Sequence, residues 1–130
     1  SNQKTFQLLP TTEHFNDPHR ADDIVRKLIK ARPDLCGIYI LGSEARLPLE
    51  AMNRYANDKK FVVIAHELTE FTKTQLANGH LDAVISQNTG HLVRSCVRRL
   101  KAMYEGTTPI SSQEQVRIEI LIKEILAVWI

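Results

Sequence analysis

The chain has 130 residues, which is enough for one domain with a real core and too few for two. Hydrophobic residues make up 43% of it and charged residues 25%, a balance typical of a soluble globular protein and not of a disordered one. The formal net charge of +2 is too small to indicate nucleic-acid binding, which needs a concentrated basic patch.

The hydropathy pattern and the two cysteines bear on the cellular location of the protein. No apolar run approaches the roughly 20 residues of a membrane helix, and the first residues lack the pattern of a signal sequence. Cys36 falls in a predicted strand and Cys96 on the apolar face of a predicted helix, with no spacing typical of a metal site. Since free cysteine is among the most buried residue types, we expect both to be buried in a reducing cytoplasm.

The first half of the chain predicts two strands and two helices. Residues 5–9 are the first strand candidate, which ends at Pro10 because proline cannot continue a strand ladder. Asn16 or Asp17 can cap a helix that ends at Arg32, before a proline. Residues 35–41 are the second strand, and a helix with Pro48 in its first turn follows. The inward positions predicted for the two helices are Ala21, Ile24, Val25, Leu28, Ile29, Leu49, Met52 and Ala56.

The second half continues the alternation of strands and helices. Residues 61–65 and 81–85 are the third and fourth strands, and between them Thr69 can cap a helix that Gly79 ends. After residues 88–90 comes the clearest helix, which ends at Gly106. Its apolar stripe, which we expect to face inward, is Val93, Cys96, Val97, Leu100, Met103 and Tyr104.

Four β-α units in a row predict an α/β fold with a doubly wound parallel sheet, of the flavodoxin-like and periplasmic-binding-protein-like kind. We expect strand order 2-1-3-4 and strands covered on both faces, because the strands are short and almost continuously apolar. The tail favours a strand over residues 115–123, although its apolar residues also fit helical spacing. We therefore predict a domain over residues 1–107 and a crossover tail over residues 108–130, whose apolar side chains call for a partner surface.

Several kinds of chemistry are not predicted. His66 and Glu67 begin an HExxH pattern, but the second histidine is absent, and the other histidines show no metal-ligand spacing. No P-loop, GxGxxG or GxSxG motif follows a strand. We expect no catalytic residue, metal site or cofactor. The basic residues of the last helix favour a solvated face over a nucleic-acid patch: Arg94, Arg98, Arg99 and Lys101.

Polar side chains follow the predicted strands. Glu67 comes after the third and Gln87 after the fourth, and parallel strands place their carboxyl ends on one edge of a sheet. A carboxylate accepts two hydrogen bonds and an amide both donates and accepts, so the two can hold sugar hydroxyls. A simple loop or capping role explains Glu67 and Gln87 about as well as ligand binding does, and it explains the other polar residues better, because Ser43, Thr69 and Asn88 could each cap a helix.

With those residues in view, the chain resembles the sugar-binding effector domain of lactose-repressor (LacI/GalR) family transcription regulators, which is itself similar to periplasmic sugar-binding proteins. The likeness covers roughly residues 5–125. Its most specific stretches are PDLCGIYILGSEA, FVVIAHELT, GHLDAVISQNTGHLVRSCVRRL and TPISSQEQVRIEI.

The resemblance implies the carboxyl-terminal subdomain of a two-lobed effector domain. The other lobe and a DNA-binding head would lie outside the chain, and the segment around residues 108–123 would cross between lobes. It also implies a small-molecule effector, a homodimer without membrane contact, and DNA binding only through the head. The implied ligand contacts are Glu67, Gln87, Ser43, Glu44, Phe15 and Asn16.

Two other interpretations of the sequence remain open. A piece of a periplasmic sugar receptor of a transport system would have the same fold, and genomic context would distinguish it. A flavodoxin-like enzyme or a phosphoryl-receiver domain would share the sheet, but a receiver needs an aspartate after its third strand, where this chain has His66 and Glu67.

Overall fold

In a computed structural model of the protein, residues 5–42, 44–56, 58 and 61–126 are described. The chain divides into two units. The helical unit contains residues 1–35 and 47–59, and the sheet unit contains residues 36–46 and 60–130. This partition differs from the predicted boundary at residue 108, which stays a prediction.

The helical unit is built on two helices. Helix α1 spans Pro18–Ala31, and the Asp17 carboxylate caps it by accepting hydrogen bonds from the backbone N–H groups of His19 and Arg20. Helix α2 spans Arg46–Tyr55. The predicted cap and end of α1 and the predicted place of Pro48 in the first turn of α2 are confirmed. Their buried side chains are Ala21, Val25, Ile29, Pro48, Leu49, Ala51 and Met52.

One carboxylate ties α1 to α2. Asp22 of α1 accepts hydrogen bonds from the Arg54 guanidinium at 2.6 Å and 3.0 Å and from the Tyr55 hydroxyl at 2.6 Å. The hydrogen bonds from Tyr55 and Arg54 lower the pKa of Asp22 below its ordinary value of 3.8. Hydrogen bonding to that carboxylate raises the pKa of Tyr55.

The stability of the helical unit should therefore depend on pH through Asp22. A carboxyl group whose pKa is lowered by folding stabilises the fold above its unfolded pKa, and that contribution disappears as the pH falls through the folded pKa. We expect Asp22→Asn to lower the thermal unfolding midpoint at pH 7, with the difference shrinking as the pH falls below 3.8. Thermal unfolding from pH 7 to pH 2 measures this, with Asp58→Asn as the exposed control; a pH-independent difference would contradict it.

The first predicted strand does not form. Residues 5–9 have no secondary structure, and the side chains of Phe6 and Leu8 are 84% and 97% exposed. A strand exists only if its backbone groups pair with a neighbour, and among the residues that the structure describes this segment pairs with none. The prediction of a strand at residues 5–9 is therefore wrong.

The sheet unit contains a mixed sheet of four strands: β1 (Gly37–Ile40), β2 (Val62–His66), β3 (Ala83–Gln87) and β4 (Ile118–Leu121). Strands β1, β2 and β3 are parallel neighbours, and β4 pairs antiparallel with β3. The α/β fold class and the strand in the tail are confirmed. The predicted order 2-1-3-4 placed a strand at residues 5–9 between the strands that form β1 and β2. This order is wrong, because no strand forms at residues 5–9 and β1 pairs directly with β2, while β4 closes the sheet at the other edge.

The two faces of this sheet differ in burial. The covered face carries buried side chains on all four strands, Ile40, Val63, Ala65, Val84 and Leu121. By the register of the strands, the open face carries Tyr39, Val62, Ile64, His66, Ala83, Ile85, Gln87, Ile118 and Ile120. None of these nine is buried. The expectation of strands covered on both faces is thus wrong, since among the residues described only one face is covered.

Local signals set the bounds of the helices in the sheet unit. Helix α3 (Glu70–Ala77) begins at Thr69, which forms a capping box with Thr72. Helix α4 (Thr89–Glu105) begins at Asn88 and ends at Gly106, whose φ of 67° favours glycine. A short helix, α5 (Lys123–Leu126), follows β4. In the described ranges, no helix is long and apolar enough to cross a membrane.

Helix α4 has the predicted length but the opposite orientation. Its buried residues are Ser95 and Ala102, while Leu100 and Tyr104 of the predicted inward stripe are 67% and 93% exposed. Glu114, in the segment after α4, accepts hydrogen bonds from Ser95 and Arg98. Small and polar residues therefore make the contacts, and the apolar stripe stays open. The predicted burial of Cys36 and Cys96 is also wrong, because both are exposed.

Candidate functional site

Glu67 and Gln87 lie at the same edge of the sheet. Glu67 directly follows the last residue of β2, and Gln87 is the last residue of β3, the parallel neighbour of β2. The backbone N–H of Glu67 donates a hydrogen bond to the carbonyl oxygen of Ile85 at 2.7 Å, which locks the end of β2 to β3. Both residues thus stand at the carboxyl ends of adjacent parallel strands, where open α/β sheets bind ligands.

The backbone at Glu67 is in an unusual conformation. Its φ is 71°, a left-handed value that costs a residue other than glycine on the order of 1–3 kcal/mol. The buried Thr72 hydroxyl donates a hydrogen bond to the Glu67 carbonyl oxygen at 3.0 Å, and so holds the strained turn from the first turn of α3. Such strain persists only where neighbouring groups enforce it, and it is concentrated at binding sites.

The side chains of Glu67 and Gln87 are exposed and available to a ligand. Within the part of the chain that the structure describes, neither side chain makes a hydrogen bond or an ion pair. The site has a carboxylate that accepts hydrogen bonds and an amide that donates and accepts them, with all of this capacity unused.

A pair that the sequence reasoning did not combine lies on the open face beside this edge. The Tyr39 hydroxyl of β1 is 2.8 Å from Nδ1 of His66 on β2. His66 pairs in register with Ile85, two residues before Gln87 on the same face of β3. The pair therefore adds an imidazole and a phenol to the polar groups at the edge. The polar tip of Tyr39 within an otherwise apolar strand was the available signal.

Glu44 lies in a separate pocket of the sheet unit. Its carboxylate accepts a hydrogen bond from the backbone N–H of Arg46 at 3.2 Å. The Arg46 guanidinium lies 4.9 Å from the centre of the Phe71 ring. This pocket, of about 320 Å³, is lined by Glu44, Arg46, Thr69, Glu70 and Phe71, without Glu67 or Gln87. Ser43, the neighbouring predicted contact, lies outside the described residues.

Phe15 and Asn16 belong to the helical unit. Both have left-handed backbone conformations, with φ of 50° and 58°. Phe15 is 69% exposed, and the Arg20 guanidinium lies 4.7 Å from the centre of its ring. The two sit in the loop before α1, beside a pocket of about 570 Å³ lined by Thr11, Thr12, Glu13, Phe15, Arg20, Asp23 and Ile24. Their predicted ligand contacts stay predictions.

No protein family model and no curated protein matches this sequence. Solved structures do match. One is an ABC transporter solute-binding protein from Agrobacterium vitis with bound α-D-tagatopyranose, with a TM-score of 0.76 and 18% identity over 92% of this chain and 40% of that one. A second from the same organism, with bound D-fucose, has a TM-score of 0.73 and 16% identity over 91% of this chain and 41% of that one.

A glucose-galactose binding protein from Geobacillus stearothermophilus is similar to the same degree, with a TM-score of 0.74 and 15% identity over 88% of this chain. This chain spans about two fifths of the length of each of these proteins. At such low identity, the likeness concerns the fold alone. The chain thus has the α/β fold of one part of periplasmic-binding-protein-like structures.

Proposed function

We propose that this chain forms one wall of a sugar-binding cleft in a transcription regulator of the lactose-repressor type. The observation that carries the proposal is the edge formed by β2 and β3, where Glu67 and Gln87 end adjacent parallel strands with unused hydrogen-bonding groups. The shared fold supports it, because two of the structures similar to this chain hold a sugar.

The chemistry of the edge suits a neutral, hydroxyl-rich ligand. Two neighbouring sugar hydroxyls can donate to the Glu67 carboxylate, while the Gln87 amide donates to one oxygen and accepts from another hydroxyl. Hydrogen bonds to a charged group are worth about 1.5–3 kcal/mol each, so the carboxylate should contribute most of the affinity. The hydrogen bonds of the Glu67 backbone with Ile85 and Thr72 hold that backbone in place before the ligand arrives, which reduces the entropic cost of binding.

Regulation would follow from closure of two lobes around the effector. A ligand that contacts both lobes binds the closed state better, and this difference in affinity shifts the equilibrium that the DNA-binding head senses. In this proposal the protein is cytoplasmic and dimeric, and it contacts DNA only through polypeptide outside these 130 residues. The chain by itself offers one wall, so we expect its sugar binding to be weak or undetectable; micromolar affinity by calorimetry would contradict this.

The test is sugar binding by the polypeptide encoded by the whole reading frame. A thermal-shift screen of hexoses, pentoses and polyols identifies the effector, because a ligand of the native state raises the unfolding midpoint. Glu67→Ala and Gln87→Ala should then weaken binding about tenfold to a hundredfold, the loss expected for charge-assisted and amide hydrogen bonds. Calorimetry with the identified sugar measures the change.

A matched control separates the site from general surface charge. Glu119→Ala removes an exposed carboxylate from β4 on the other face of the sheet, and it should leave the affinity unchanged. If no sugar shifts the midpoint, or if Glu67→Ala and Glu119→Ala bind the sugar equally well, the proposal fails. Sugar-dependent release of operator DNA would support the regulator in particular.

The second candidate is a sugar receptor of a transport system. It is favoured by the solute-binding proteins of ABC transporters among the similar structures. The same two side chains would bind the sugar, but the protein would be exported. A secretion signal at the start of the reading frame would favour this candidate, whereas a helix-turn-helix segment there would favour the regulator.

A further inference from the structure

The side chains on the open face of the sheet are much more exposed than those on the covered face. On the covered face, Val63, Ala65 and Val84 are 5%, 0% and 0% exposed. On the open face, Val62 is 53% exposed, and Ile118 and Ile120 are each 59% exposed. Three of the four strands run parallel, and parallel strands normally have packed helices on both faces.

The side chains of the open face are suited to contact with an apolar surface. Its nine side chains include no carboxylate, ammonium or guanidinium group. His66 and Gln87 lie at the carboxyl edge, and the Tyr39 hydroxyl is hydrogen-bonded to His66. An uncharged apolar patch of this kind marks a surface for another polypeptide segment. A charged or nucleic-acid partner would find no complementary group there.

The dimensions of the open face indicate which kind of polypeptide segment would fit on it. Four strands about 4.8 Å apart make a face about 14 Å wide, which is about 17 Å long at the five-residue strands β2 and β3 and about 13 Å long at the four-residue strands β1 and β4. One α-helix is about 10–12 Å across, and about 11 residues of it span 17 Å, so a single helix of three turns covers most of the face. A stable dimer needs about 800 Å² on each partner, more than three times this area.

We propose that the open face binds one amphipathic α-helix, supplied by a part of the same polypeptide outside these 130 residues. The length of the similar structures supports this source, because this chain covers only 40% and 41% of them. The helix would present a stripe of Leu, Ile, Val or Ala at i, i+3, i+4 and i+7 to Val62, Ile64, Ile85 and Ile120. This interaction does not depend on the bound ligand or on the proposed function.

The test is protection of introduced thiols. In a Cys36→Ser, Cys96→Ser background, Ile120→Cys or Val62→Cys is labelled with a maleimide in this 130-residue chain and in the product of the whole reading frame. A thiol covered by a packed helix reacts only when the helix opens locally, so we expect labelling at least about tenfold slower in the longer protein. Glu119→Cys, on the other face of the same strand, should react at the same rate in both.

A photoactivatable cross-linker attached at position 120 identifies the covering segment by mass spectrometry. A cross-link within one polypeptide, to residues outside the 130 that have helical apolar spacing, supports the proposal. Equal labelling rates at positions 62 and 120 in the two proteins overturn it. So does a cross-link to a second copy, or one to the exposed stripe of α4.

Discussion

Leu76→Ala should lower the free energy of unfolding by about 2–5 kcal/mol, the range for removing a fully buried leucine side chain. Leu76 lies on α3, has 0% exposure and is among the largest fully buried side chains. Helix α3 packs against β3 and α5, so the cavity would open where these elements meet. Urea denaturation followed by circular dichroism measures the change.

The control for this prediction is Leu100→Ala. Leu100 is on α4, in the stripe that was expected to face inward, and its side chain is 67% exposed. An exposed substitution of this kind usually changes stability by less than about 0.5 kcal/mol. Equal losses for the two variants would mean that the α4 stripe is packed against something in solution.

Thr72→Val should destabilise the protein and disturb the candidate site together. The buried Thr72 hydroxyl accepts a hydrogen bond from the Thr69 N–H at 2.8 Å and donates one to the Glu67 carbonyl oxygen. Valine has nearly the same shape but cannot replace these partly buried hydrogen bonds, and each such bond contributes about 0.5–1.5 kcal/mol to stability. Urea denaturation should show the sum of the two losses.

The second effect of Thr72→Val concerns Glu67. Without the hydroxyl, the Glu67 carbonyl loses its hydrogen bond from Thr72, and the strain at Glu67 can relax. Sugar affinity of the whole polypeptide should therefore fall together with stability. The matched control is Thr74→Val, an exposed threonine on the same helix whose hydroxyl bonds to the Glu70 carbonyl. If both variants bind sugar like the unchanged protein, Thr72 does not position Glu67.

The starts and ends of the helices could be predicted from the sequence because capping depends on residues close in the chain. Asp17, Thr69 and Asn88 each accept hydrogen bonds from N–H groups two or three residues later. Gly106 adopts the left-handed conformation that ends α4. None of these interactions requires a distant part of the chain, so the residue types alone indicate them.

The candidate site could be predicted only in part. The alternation of strands and helices places Glu67 and Gln87 after parallel strands, and therefore at one edge. The hydrogen bond between Tyr39 and His66 could not be predicted, since it joins residues 27 positions apart and depends on β1 pairing directly with β2. The separate pocket of Glu44 likewise depends on where Arg46 and Phe71 meet.

By itself, the sequence determined where α1 to α4 and β1 to β3 lie and which polar residues end those strands, but it also predicted a strand over residues 5–9 that does not form and did not predict α5. Only the tertiary structure decided which strands are neighbours, which face of the sheet is covered, and that α4 packs through Ser95 and Ala102 and leaves its apolar stripe exposed. The physical reason is the range of the forces involved. Capping and the backbone hydrogen bonds of a helix join residues close in sequence, whereas strand pairing and burial depend on whether a complementary partner from a distant part of the chain is present.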